Sequence, residues 1–132
     1  MQVVLDTNII ISAAISGKGN PAKIMKMVSE GKLQMCYNTE ILSEYSDVLF
    51  REKFSLPIEK QNALIRKIIE MGTVTNAPIS TATMTDESDR IFYDTAKDIG
   101  AVLITGNIKH YPVEDFIVTP AMFLATWDDK LC

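Results

Sequence analysis

The sequence has no long apolar run, so no membrane-spanning helix is expected. It has two cysteines, Cys36 and Cys132, which make neither a disulfide framework nor a metal-ligand spacing. A reducing cytoplasm is the simplest compartment for such a chain. The first residues carry no basic segment and no signal-like apolar core. Repeats and low-complexity tracts are lacking. Positive charge is not in excess: 13 Lys and Arg stand against 17 Asp and Glu, a net charge of −4. That weighs against a DNA-coating protein, whose affinity would come from neutralising phosphates. It leaves a nuclease open, because an acidic metal site adds negative charge of its own.

What is there is ordinary globular material, 47% apolar and 23% charged. One domain over residues 1–132 is expected. A chain of this length buries roughly two-thirds of its unfolded surface and needs no covalent staples.

The stretch QVVLDTNIIIS, Gln2 to Ser12, organises the rest. Val3, Val4 and Leu5 read as a short strand buried on both faces, as parallel strands are. Asp6 follows at its carboxyl end, where open α/β sheets place their ligands. A cap on the following turn or helix is the plainer role for Asp6. Its apolar flanks favour a functional one, since an ionised group there is costly unless something cationic meets it.

Further along, Asn20 as N-cap, Pro21 at the first helical position and Gly31 beyond the end bracket a helix. Leu33 to Tyr37 reads as a second strand, with Cys36 a small buried hydrophobe. Thr39 caps a second helix running to about Glu52, with Ile41, Leu42, Tyr45, Val48 and Leu49 inward. A third helix fits Pro57 to Met71, ended by Gly72, with Ile58, Leu64, Ile65, Ile68 and Ile69 inward. Thr73 to Thr85 reads as a short strand or extended loop. Asp86 to Ile99 is a fourth helix closed by Gly100. Ala101 to Ile104 is a strand ending at Thr105-Gly106-Asn107, Phe116 to Val118 a last short strand, and Thr119-Pro120 opens a final helix. Strands alternating with helices predict an α/β fold, a mainly parallel sheet covered on both faces.

Helical geometry sorts the carboxylates. Glu44 lies on the margin of the second helix's apolar stripe. Asp89 shares the core face of the fourth helix, in its first turn. Asp94, Asp98, Arg90 and Lys97 fall on the other side and read as a solvated face. A capping box with Asp86 is the alternative for Asp89, and an ordinary boundary residue the alternative for Glu44. The case for function is convergence: Asp6 and Asn107 follow strands, and Asp89 begins a helix at that same edge. Three carboxylates and an amide oxygen make a hard-oxygen site suited to Mg²⁺ or Mn²⁺. Such sites drive metal-assisted phosphodiester hydrolysis.

Together VVLDTNIIISA, TEILSEYSDVL and DESDRIFYDTAKDIGAVLITGNIKHYP make the sequence resemble the PIN-domain ribonucleases. The most specific part is D-x-x-D-x-x-F-x-x-A followed by a strand and T-G-N. The resemblance implies a three-layer α/β/α sandwich and a metal-dependent endoribonuclease acting on RNA. It is closest to the small single-domain toxins of toxin–antitoxin pairs, which implies an antitoxin partner; a homodimer or higher oligomer is a further expectation. By motif position Asp6, Glu44 and Asp89 look like the first three acidic ligands. Asn107 stands where many members carry Asp, which bears on metal affinity and rate. Thr105 matches a hydroxyl that orients water or a ligand, and Asn8 a partner holding Asp6. An alternative function is a PIN-fold RNA- or protein-binding module with a weakened site. A haloacid-dehalogenase-like phosphatase fits poorly, because Asn8 stands where its second Asp belongs.

The remaining candidates have plainer readings. His110, the only histidine, reads as a surface loop residue. Lys109 is as well explained by solvation as by a phosphate contact. Arg51 and Lys53 suit a helix C-terminus better than RNA, and Trp127 reads as a packing residue.

Overall fold

The computed structural model describes residues 1–51 and 54–131. Glu52, Lys53 and Cys132 lie outside the described residues. The elements are β1 (Gln2–Leu5), α1 (Thr7–Ile15), α2 (Asn20–Ser29), β2 (Gln34–Tyr37), α3 (Thr39–Leu49), α4 (Ile58–Met71), β3 (Thr73–Val74), α5 (Arg90–Ile99), β4 (Val102–Ile104), β5 (Ile117–Val118) and α6 (Pro120–Leu131). Single 3-10 turns occupy Glu87–Asp89 and Ile108–His110.

The five strands form one parallel sheet in the order β3-β2-β1-β4-β5. Val3, Val4 and Leu5 are each 0% exposed. Successive strand side chains point to opposite faces, so both faces of β1 are covered and the fold is the expected three-layer α/β/α sandwich. Sequence order turns back beside β1: β2 and β3 extend one way, β4 and β5 the other. The crevice between β1 and β4 is the switch point at which such sheets bind ligands.

Gly31, in the left-handed region at φ 78°, is required by geometry, as are Gly100 and Gly72. Gly100 closes α5 in the left-handed region at φ 69°. At Gly72 a Cβ would sit 2.6 Å from the Tyr37 ring and 2.8 Å from the Ile68 carbonyl oxygen, so no side chain fits.

Several local expectations are corrected. The cap of α2 is Gly19, and Asn20 is already helical. The cap of α3 is Asn38, not Thr39: its Oδ1 accepts from the Ile41 N–H at 3.0 Å. Its Nδ2 donates to Thr95 Oγ1 at 2.8 Å and to the Asn76 carbonyl at 3.1 Å. A buried amide that satisfies three groups wins over an exposed Thr hydroxyl. Ile58 and Ile69 of α4 are 63% and 48% exposed. The helix buries a narrow stripe around Gln61 and Ile68, and Ile69 is turned about 100° from Ile68.

Asp94 is the largest departure, being buried on α5 rather than solvated. The extended segment after β3 crosses this helix and covers it. There Ser80 donates to Asp94 through its N–H at 2.8 Å and its hydroxyl at 2.5 Å. Arg90 donates to the carbonyls of Ser80 and Ala82 at 3.0 and 2.6 Å, pinning the same segment. Helical periodicity shows which face is polar, not whether another part of the chain lies on it. Asp98 and Lys97 are exposed, as expected. Cys36 is a free thiol, fully buried, and Trp127 stacks on Phe123 at 6.1 Å.

Candidate functional site

The site begins where β1 ends. The Asp6 N–H donates to the Ile104 carbonyl of β4 at 3.0 Å, and its own carbonyl accepts from the Ile9 N–H at 3.0 Å. Its side chain caps α1, Oδ1 accepting from the Asn8 N–H at 3.3 Å. Capping and a role in the site are therefore not alternatives: one oxygen turns the chain and the other is held from elsewhere. Oδ2 accepts from the Thr105 hydroxyl at 2.8 Å and the Tyr111 hydroxyl at 2.8 Å. Asp6 is 6% exposed, and these donors fix the direction of its carboxylate.

Thr105 is fully buried beyond the end of β4. Its hydroxyl proton is committed to Asp6, while its oxygen accepts from the Asn107 N–H at 3.0 Å. Its hydroxyl therefore holds Asp6 and is shut off from open water. Asn8 holds Asp6 through its backbone N–H. Its side-chain Oδ1 accepts from the Gly106 N–H at 3.1 Å, fastening the loop that carries Asn107. Asn107 is exposed at this loop, linked to Asp6 through Thr105.

Glu44 is half-buried on α3. Its neighbour Tyr45 donates to the Leu5 carbonyl at 2.5 Å, fixing α3 against the last residue of β1. Burial raises the Glu44 pKa, the Arg51 guanidinium opposes the shift, and Asp47, Asp6 and Asp86 add to it. Asp89 ends the 3-10 turn ahead of α5 and makes no capping hydrogen bond with its side chain. The cap of that turn is Asp86, which accepts from the Ser88 N–H at 2.9 Å. Asp89 is thus left half-buried, and its pKa is pushed up to about 6. Burial is the main cause, followed by the charges of Asp6 and Asp86; His110 opposes the shift and Glu44 adds to it.

Asp6, Glu44 and Asp89 thus share one electrostatic field beside the β1–β4 crevice. Two further residues stand there: Tyr111, which was not singled out from the sequence, and His110, which was read from it as a surface loop residue. Tyr111 is buried with its hydroxyl on Asp6, and His110 Nδ1 stands 4.0 Å from Asp89 Oδ2. The one signal for either was its place in T-G-N-I-K-H-Y-P.

The donor chemistry fits a hard divalent cation: the charges of Asp6 and Glu44 both act on Asp89 at this edge. The buried Thr7 hydroxyl beside Asp6 also has no hydrogen-bond partner among the described residues. Among those residues no three His, Cys, Asp or Glu side chains are close enough to hold an ion as they stand. Coordination by the three carboxylates therefore requires side-chain movement.

A parallel α/β sandwich with acidic residues at its switch point defines the broad class. A profile of the PIN domain matches residues 2–109, and the chain belongs to that family, whose members are generally nucleases. The chain is 28% identical over 110 residues to the uncharacterised protein MJ1680 of Methanocaldococcus jannaschii, covering 81% of this chain and 71% of that one. It is similar in structure to a chain of VapBC2 from Rickettsia felis, solved bound to a DNA fragment from their promoter. The TM-score is 0.62 at 14% identity, covering 90% of this chain and 97% of that chain. At that identity the likeness speaks to the fold. Among the described residues no helix is long and apolar enough to cross a membrane.

Proposed function

We propose that the protein is a divalent-metal-dependent endoribonuclease, the toxin component of a cytoplasmic toxin–antitoxin pair. The electrostatic coupling of Asp6, Glu44 and Asp89 beside the switch point of a PIN fold carries this reading. These three residues would hold Mg²⁺ or Mn²⁺, with the Asn107 amide oxygen as a neutral fourth donor. A bound ion there supplies an acidic water and positive charge toward a phosphodiester. Thr105 and the Asn8 backbone keep Asp6 oriented. Arg51, whose charge reaches Glu44, is an exposed cation that would meet the backbone of a bound RNA.

The VapBC2 likeness motivates the antitoxin partner. A groove of about 490 Å³ between α1, α2 and α4 is where we place it. Ile10, Ala14, Met25 and Leu64 line it, beside Lys26, Lys60 and Lys67. Such a groove suits an amphipathic acidic segment.

Incubation of structured RNAs with Mn²⁺ or with EDTA, beside Asp6→Ala, tests the activity. Cleavage by the wild type in Mn²⁺ alone supports it. Cleavage that survives EDTA or Asp6→Ala rejects it. A second reading, an RNA- or protein-binding module with a weakened site, draws on the separation of the three carboxylates and the neutral Asn107. RNA retained without cleavage would favour it.

A further inference from the structure

A carboxylate offers about four lone-pair positions to donors or cations. On Asp6 three are taken: one on Oδ1 by the Asn8 N–H, two on Oδ2 by Thr105 and Tyr111. The Asn8 and Thr105 contacts belong to the strand end and the β4 loop. The Tyr111 contact has a different origin. It comes from beyond the 3-10 turn Ile108–His110, after the last residue matched by the family profile. Tyr111 is 6% exposed.

We propose that Tyr111 is a positioning residue, whose hydroxyl, together with Thr105, locks Asp6 Oδ2 and leaves Oδ1 to face a divalent cation. This rests on the metal-dependent reading above. A carboxylate held on one oxygen presents the other in a single direction, so no rotamer freedom is lost when an ion binds. Partners of this kind, which touch a ligand and not the ion, strongly affect affinity when removed. Tyr111 suits the task because it remains a donor. Its neighbour His110 lies against Asp89, so one short turn touches two of the three carboxylates.

Calorimetric titration with Mn²⁺ of the wild type, Tyr111→Phe and Asp6→Ala tests the assignment, with thermal melts to establish that each is folded. Phenylalanine keeps the buried ring and removes only the donor. The expected result is Mn²⁺ binding weakened about 10–100-fold in Tyr111→Phe and lost in Asp6→Ala. A Tyr111 that serves packing alone would lower the melting temperature and leave the dissociation constant of the folded protein unchanged. Equal or tighter binding by Tyr111→Phe, beside a wild type that binds, overturns the Tyr111 assignment alone. A wild type that takes up no Mn²⁺ overturns the metal reading and the assignment with it.

Discussion

His110 and Asp89 face each other across the acidic crevice, Nδ1 to Oδ2 at 4.0 Å. The histidine is half exposed and the carboxylate largely covered, so the pair offsets only part of the cost of ionising Asp89. That cost gives the metal-free protein a pH dependence. Asp89 titrates at about 6 in the folded chain against 3.8 for a free side chain. Between those values the folded state holds a proton that the unfolded state has released. The contribution of the Asp89 proton to stability is therefore fully present below about pH 4 and lost as pH rises through 6. In EDTA, Asp89→Asn should remove this slope and stabilise the protein at pH 7 by on the order of 2 kcal/mol, while abolishing Mn²⁺-dependent cleavage. A loss of about 0.5–2 kcal/mol with activity retained, as for a cap, would contradict it. Denaturant unfolding at pH 4.5 and 7 decides.

A second prediction concerns Asp94, which takes no part in the site. Asp94→Ala leaves the Ser80 N–H without its acceptor and frees the segment that leads to the Asp86–Asp89 turn. The expected cost is about 1.5–3 kcal/mol, read by urea unfolding. A change within about 0.5 kcal/mol, typical of a solvated surface, would mean the segment does not cover α5 in solution.

The third prediction addresses Asn107. With Asp6, Glu44 and Asp89 ionised the site carries −3, which one divalent ion largely offsets; a fourth carboxylate would favour tighter binding and a second ion. Asn107→Asp should tighten Mn²⁺ binding about tenfold or more, since ligand charge tunes affinity. Titration calorimetry reads both affinity and stoichiometry. If both are unchanged, position 107 does not face the ion.

The sheet and its helices were legible in the sequence because apolar runs and periodicities are local. Val3 to Leu5, an apolar run that a buried helix segment can also show, is the buried strand that was read there, with Asp6 at its end. Glu44 and Asp89 followed from helical spacing, with the family resemblance supplying their order. What was missed lies in contacts between distant residues. Tyr111 meets Asp6 across 105 positions, and no pattern within either segment encodes that meeting. Asp94 was misjudged for the same reason, since a helical wheel contains no information about the chain crossing it. The caps failed differently. Asn38 and Thr39 are both good caps, and the choice was made by Thr95 and Asn76, which only the folded chain brings near.

The strand order has a consequence for synthesis. A ribosome delivers β1 first, yet β1 occupies the middle of the sheet, and its β4 neighbour is made nearly a hundred residues later. The two hydroxyls that settle Asp6 Oδ2 arrive with residues 105 and 111. Until they emerge, the carboxylate has no fixed direction and the crevice has only one wall. An incomplete chain, however well its first helices have formed, therefore lacks the assembled acidic centre, and premature termination anywhere before β4 releases a fragment without it.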